Sequence, residues 1–266
     1  MKTFITRYPV AAFIGITFFM SHLFTLLLYI FFGHKAGFLN DITQIVGSYG
    51  PALSALIVTG FTLGSAGVIQ LIEKLKPIGK HLLWYILLPL AGMAITSLAF
   101  IAGDIPTGKI IMIIGQNPAP LALSFLALTL KVGIGEELGW RGWLLPKLMA
   151  NQNPIKATLW VAVIWAVWHI QFFLNTWQIL IPFLVFIFSV AIILTWLWHK
   201  VHGDILLIAI AHASVDSEFF IERQVHTLGY GNHVTISWAI LSMIYAAIAI
   251  ALYLSNRKWW HTAPRL

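Results

Sequence analysis

Cysteine is absent from the 266 residues, which excludes disulfides, thiolate metal ligands and a thiol nucleophile. Charge is scarce as well. Asp, Glu, Lys and Arg make up 9% of the chain, against about 25% in a soluble domain. Acid is scarcer than base, with 9 Asp and Glu against 16 Lys and Arg. No internal repeat, low-complexity tract or polar domain interrupts the chain, and the His-Glu-x-x-His zinc motif is missing. What is present is 59% hydrophobic and includes 12 Trp. Such a chain belongs in a bilayer, as an all-α, multi-pass transmembrane helical bundle. The net charge of +7 forms no patch, because the basic residues flank apolar segments. Membrane lipid, and no nucleic acid, is therefore the expected partner.

Spans need about 20 apolar residues each, and eight are expected, at 9–32, 42–63, 81–102, 120–145, 158–177, 179–199, 205–221 and 234–255. The basic 1–7 looks like a signal n-region, but the apolar run after it is too long for a signal h-region and has no small-residue cleavage site before the charged loop, so it is expected to remain as a span. A polar turn at 175–178 separates the fifth and sixth. Between the second and third, 70–76 reads as a short amphipathic piece at the interface. With the N-terminus inside, Lys2, Arg7, Lys74, Lys76, Lys80, Lys147, Lys156, Lys200, Arg257, Lys258 and Arg265 are cytoplasmic, and Lys35, Lys109 and Arg223 are outside. That excess favours an even span count with both termini cytoplasmic. The whole of 1–266 is expected to form one integral-membrane domain.

The scarce acid is concentrated where it is most costly. In Gly135-Glu136-Glu137-Leu138-Gly139-Trp140-Arg141, two adjacent carboxylates interrupt an apolar span, and each costs at least about 2–3 kcal/mol at the bilayer centre. Residues four apart share a helix face, whereas neighbours point about 100° apart. Glu137 and Arg141 can therefore pair, leaving Glu136 on another face with the desolvated character of a general base. A purely structural alternative has both glutamates in buried ion pairs with Arg141 and Lys131. His169, in Trp165-Ala166-Val167-Trp168-His169, falls near the middle of the fifth expected span. It suits either a hydrogen-bonded helix contact or a site residue, with Trp165 one turn earlier as a pocket wall. In Ala211-His212-Ala213-Ser214-Val215-Asp216, the i,i+4 pair His212 and Asp216 suits a carboxylate-oriented imidazole or two metal ligands. Three helices thus carry site-type groups, and Gly133, Gly135, Gly139 and Gly142 would let neighbouring backbones approach the glutamate helix.

Other polar residues read as less telling. His22 suits a helix contact, and His34, His81, His199, His202, His226, His233 and His261 lie at span ends. Glu218, Glu222 and Arg223 look like an interfacial charge cluster, although Glu218 could line a cavity.

The ordered trio Glu136-Glu137-x-x-x-Arg141, Trp165-x-x-x-His169 and His212-x-x-x-Asp216 resembles the CAAX protease and bacteriocin-processing (CPBP, or Abi) family of intramembrane proteases. The resemblance covers about 120–220, which it marks as the catalytic core. It implies an all-helical fold of about eight spans, with Glu136 activating a water helped by His169. His212 and Asp216 would complete the site, and Glu137 with Arg141 would brace it. The family is classed with metalloproteases, so Glu136, His169, His212 and Asp216 also form a conceivable Zn²⁺ set. Trp165 replaces the family's phenylalanine, and Asp216 stands where the eukaryotic-type members have asparagine. An amide can donate to an oxyanion and an ionised aspartate cannot. Asp216 would then be protonated, orient His212 or bind a metal.

The expectation is an intramembrane endopeptidase acting on a membrane-associated peptide or protein by a glutamate-activated water, in a bacterial or archaeal plasma membrane. No cofactor is required by this reading, and the missing zinc motif favours a metal-free mechanism. Two rivals use the same buried residues: a proton-coupled transporter, and a non-catalytic bacteriocin-immunity or scaffold protein.

Overall fold

The computed structural model describes residues 2–32, 37–116, 118–169 and 177–263. Among them there is no strand. Six helices are long and apolar enough to cross a membrane: α1 (Pro9–Leu28), α2 (Ile45–Glu73), α3 (Gly79–Ala102), α4 (Pro118–Met149), α6 (Trp177–Lys200) and α9 (Gly231–Ser255). The shorter helices between them include α5 (Pro154–Trp168), α7 (Ile205–Val215) and α8 (Glu218–Thr227). The protein is a multi-pass helical bundle. Two of the eight expected spans, the fifth and seventh, appear as α5 and α7, of 15 and 11 residues. At 1.5 Å per residue, α7 is only about 16 Å long, roughly half the hydrocarbon thickness.

The short α7 is an interior helix. Ile205, Leu207, Ile208, Ala209, Ala211, His212, Ala213, Ser214 and Val215 are all buried, so it is apolar and covered on every side, as a core helix must be. It packs on α3, α4 and α6. Its start is anchored by Asp204, whose Oδ1 accepts from the Leu207 backbone N–H at 3.0 Å. The other oxygen accepts from His81 Nδ1 at 2.8 Å and the Tyr85 hydroxyl at 2.9 Å. This N-cap stops the helix from sliding and ties it to the beginning of α3. His81 is therefore a structural anchor rather than an idle span-end histidine.

Close approach to α7 depends on absent side chains. A Cβ at Gly92 would run into the Ser214 carbonyl, and one at Gly133 into the Ala209 carbonyl. Gly135 and Gly139 likewise let α4 approach Ser48 and Pro51 of the helix that contains α2. Gly142 faces only ordinary contacts, at 3.5 Å and beyond.

Three expectations about boundaries change. The piece at 70–76 belongs to a helical stretch that begins earlier, after a break at Gly64 whose φ of 70° suits glycine, and that ends at Glu73. Lys74 then anchors its end, donating from Nζ to the Gly142 carbonyl at 2.7 Å, while the Lys74 carbonyl accepts from the Ile205 N–H at 3.1 Å. His169 lies just past the end of α5 instead of mid-span. The seventh expected span is divided, with α7 ending at Val215 and α8 starting at Glu218. Residues 175 and 176 of the expected turn at 175–178, together with His34 and with Lys35 and Arg265 of the charge count, lie outside the described residues.

Candidate active site

The glutamate pair sits in a regular turn of α4 between two wider, π-helical stretches, Thr129–Gly133 and Trp140–Leu144. Such stretches widen a helix locally and are frequent at functional sites. The pair diverges as the helical spacing predicts. Glu137 is wholly buried, and its Oε1 accepts from Arg141 Nη1 at 2.7 Å and from His212 Nδ1 at 2.7 Å. The Arg141 guanidinium also lies over the Trp165 ring, 4.8 Å from its centroid, so that a cation–π contact supplements a single ion pair.

Glu136 faces two indoles. Its Oε2 accepts from Trp165 Nε1 at 2.7 Å and from Trp140 Nε1 at 3.3 Å. Both indole bonds fall on this one oxygen. One oxygen is thus held by donors that cannot give up a proton, and neither indole occupies the other.

The two histidines are held in different ways. His169 Nδ1 lies 2.9 Å from the Trp165 carbonyl. A carbonyl only accepts, so Nδ1 carries the proton and Nε2 offers a lone pair. The His169 ring is walled by Trp165, Trp168 and Phe183 at centroid distances of 5.7, 4.8 and 5.3 Å. His212 gives its Nδ1 proton to Glu137, which turns Nε2 towards Asp216 Oδ2 at 3.6 Å. That is an ion-pair distance, longer than a hydrogen bond. A bare lone pair facing an ionised carboxylate would repel it, so at least one proton resides between Nε2 and Oδ2.

Glu136, His169, His212 and Asp216 all line one cavity of about 220 Å³. Glu137 and Arg141 lie behind it, bracing His212. Trp165 was legible as a wall from its position one turn before His169. Its indole donation to Glu136 was not, because it joins residues 29 apart in sequence. Trp140 is i+4 from Glu136, a spacing that should have flagged it. Glu218 also lines the cavity, the alternative that the sequence left open beside an interfacial charge cluster.

The conceivable Zn²⁺ set of Glu136, His169, His212 and Asp216 lines one cavity without taking up a ligand arrangement. Among the described residues, no three His, Asp or Glu side chains are arranged to hold a metal ion. His212 Nδ1 is committed to Glu137, His169 Nδ1 to a carbonyl, and one Glu136 oxygen to two indoles.

Comparison with known proteins converges on the same stretch. Residues 118–217 match the family described as Type II CAAX prenyl endopeptidase Rce1-like. A segment of 98 residues is 32% identical to CAAX prenyl protease 2 of Methanococcus maripaludis. That alignment covers 33% of this chain and 36% of the relative, so the chain spans little more than a third of that protein. All six expected site residues fall within 118–217. Over the stretch that carries them, this multi-pass membrane chain is similar to Rce1-like CAAX prenyl endopeptidases, in keeping with the CPBP family.

Proposed function

We propose that the protein is an intramembrane endopeptidase that hydrolyses a peptide bond in a membrane-associated peptide or protein, with 120–220 as its catalytic core. The observation that carries this reading is the shared cavity of Glu136, His169, His212 and Asp216. Water bound between Glu136 Oε1 and His169 Nε2 would lose a proton to Glu136, while the indoles of Trp140 and Trp165 hold the other carboxylate oxygen. The oxygen attacks the scissile carbonyl carbon, and the carbonyl becomes an oxyanion. The proton held between His212 and Asp216 is positioned to stabilise it. Collapse of the intermediate breaks the C–N bond, and Glu136 returns its proton to the leaving amine. A protonated Asp216, or an imidazolium at His212 oriented by Glu137, would supply what asparagine supplies in the eukaryotic-type members. No step passes through a metal.

The relative's name points to C-terminal peptides of prenylated proteins as one substrate class. Leader peptides and small membrane proteins of a bacterial or archaeal plasma membrane are the class favoured here. The reading is tested by comparing protein N-termini by mass spectrometry in host membranes carrying wild type or Glu136→Gln at equal levels. New termini only with wild type are expected. A phenotype that persists in the variant without any difference in termini would instead favour a non-catalytic partner.

A further inference from the structure

Glu218 is the one carboxylate of the cavity that the proposed chemistry leaves unused. It opens α8, is fully buried, and lines the cavity with Glu136, His212 and Asp216. Neither of its carboxylate oxygens has a hydrogen-bond partner among the other described residues. The other carboxylates of the site are occupied: Glu136 by two indoles, Glu137 by Arg141 and His212, and Asp216 by the His212 ring. The hydroxyl of Tyr245, close enough to couple electrostatically to Glu218, is itself buried without a partner and does not satisfy it.

The surroundings indicate what would. Three carboxylates line the cavity, whereas no Lys or Arg among the described residues does. A buried carboxylate without a donor is expensive, and a charge-assisted hydrogen bond is the strongest remedy. Beside Glu218, Phe219 also lines the cavity and is 42% exposed, which marks a mouth at this end. Phe183 and Phe186 provide apolar wall behind it. An aliphatic stem ending in a cation matches that sequence of surfaces: the stem lies along the rings and the charged head meets the carboxylate. The volume, about 220 Å³, is below the roughly 300–1,000 Å³ of a small-molecule pocket and suits one side chain with its adjoining peptide group.

We infer that Glu218 forms an acidic subsite that receives the protonated side chain of a Lys or Arg flanking the scissile bond of the substrate. This rests on the protease reading for its purpose, although the subsite itself can be assayed without catalysis. Detergent-purified full-length wild type and Glu218→Gln, an isosteric change, are titrated with N-acetyl-lysinamide and its neutral counterpart N-acetyl-norleucinamide, following thermal stability. Cleavage of paired peptides differing only by Lys or norleucine is then compared. Wild type should favour the lysine probe and lysine peptide by about tenfold or more, and Glu218→Gln should bring both ratios close to one. Equal stabilisation by the two probes, or a lysine preference that survives Glu218→Gln, overturns the subsite. A Glu218-dependent lysine preference in binding, with no peptide cleaved by wild type, sinks the protease reading and leaves the subsite standing.

Discussion

Glu137 concentrates two charge-assisted hydrogen bonds on a single oxygen, at 2.7 Å each, with Arg141 and His212 as donors. Replacing it by glutamine keeps the shape but leaves a fully buried guanidinium without its counter-charge. Such a loss typically costs about 3–5 kcal/mol, so Glu137→Gln should markedly lower the melting temperature of the purified protein. An unchanged melting temperature would show that the brace contributes little. Trp165 tests the opposite case, a positioning group whose removal should spare the fold. Trp165→Phe keeps a ring under Arg141 but deletes the 2.7 Å donor to Glu136. Turnover should fall about 10- to 100-fold, from the ~1.5–3 kcal/mol of a hydrogen bond to a charged group, with little change in melting. Of these residues, the Glu137–Arg141 pair was legible because it is local, one helical turn. The contacts of Glu136 with Trp165 and of Glu137 with His212 depend on how separate helices register, and no periodicity within one segment encodes that.

At the scale of elements, α4 and α7 matter most, because the cavity that Glu136 and His212 share requires the two backbones to lie close. Gly133 is the point of contact: any Cβ there meets the Ala209 carbonyl. Gly133→Ala should destabilise by about 1–3 kcal/mol through overpacking, read as a drop in melting temperature, whereas Gly142→Ala, facing atoms no nearer than 3.5 Å, should be tolerated. Equal effects at the two positions would contradict the packing described for α4 and α7. The sequence marked the apolar helices and their small-residue face, but misjudged where elements end. His169 follows the last turn of α5, where the Trp165 carbonyl is shared by the His169 backbone N–H and its ring. Continuous hydrophobicity through that region concealed the stop. In the same way, the apolar run of 205–221 concealed the division between α7 and α8, because Asp216, Ser217 and Glu218 are buried polar residues rather than loop residues at a surface.

For the molecule as a whole, composition was enough to indicate a multi-pass helical bundle, and six helices among the described residues have the length and apolarity to cross a membrane. It could not reveal that α7, apolar along its length, is an interior helix clamped by Asp204, His81 and Tyr85. Hydropathy is the same for a lipid-facing and a protein-facing surface. The arrangement of the site also bears on its chemistry as a unit. With no three ligand-type side chains converging among the described residues, prolonged treatment with a zinc chelator should leave turnover unchanged. Loss of activity that added Zn²⁺ restores would contradict the geometry. The central claim, that Glu136 activates the attacking water, is tested most directly by kcat in proteoliposomes of the purified full-length protein. Wild type and Glu136→Gln, matched for melting temperature, are given a substrate identified from the membrane termini. The account predicts a loss of about 10²- to 10⁴-fold in kcat for the variant; turnover within a few-fold of wild type would contradict it.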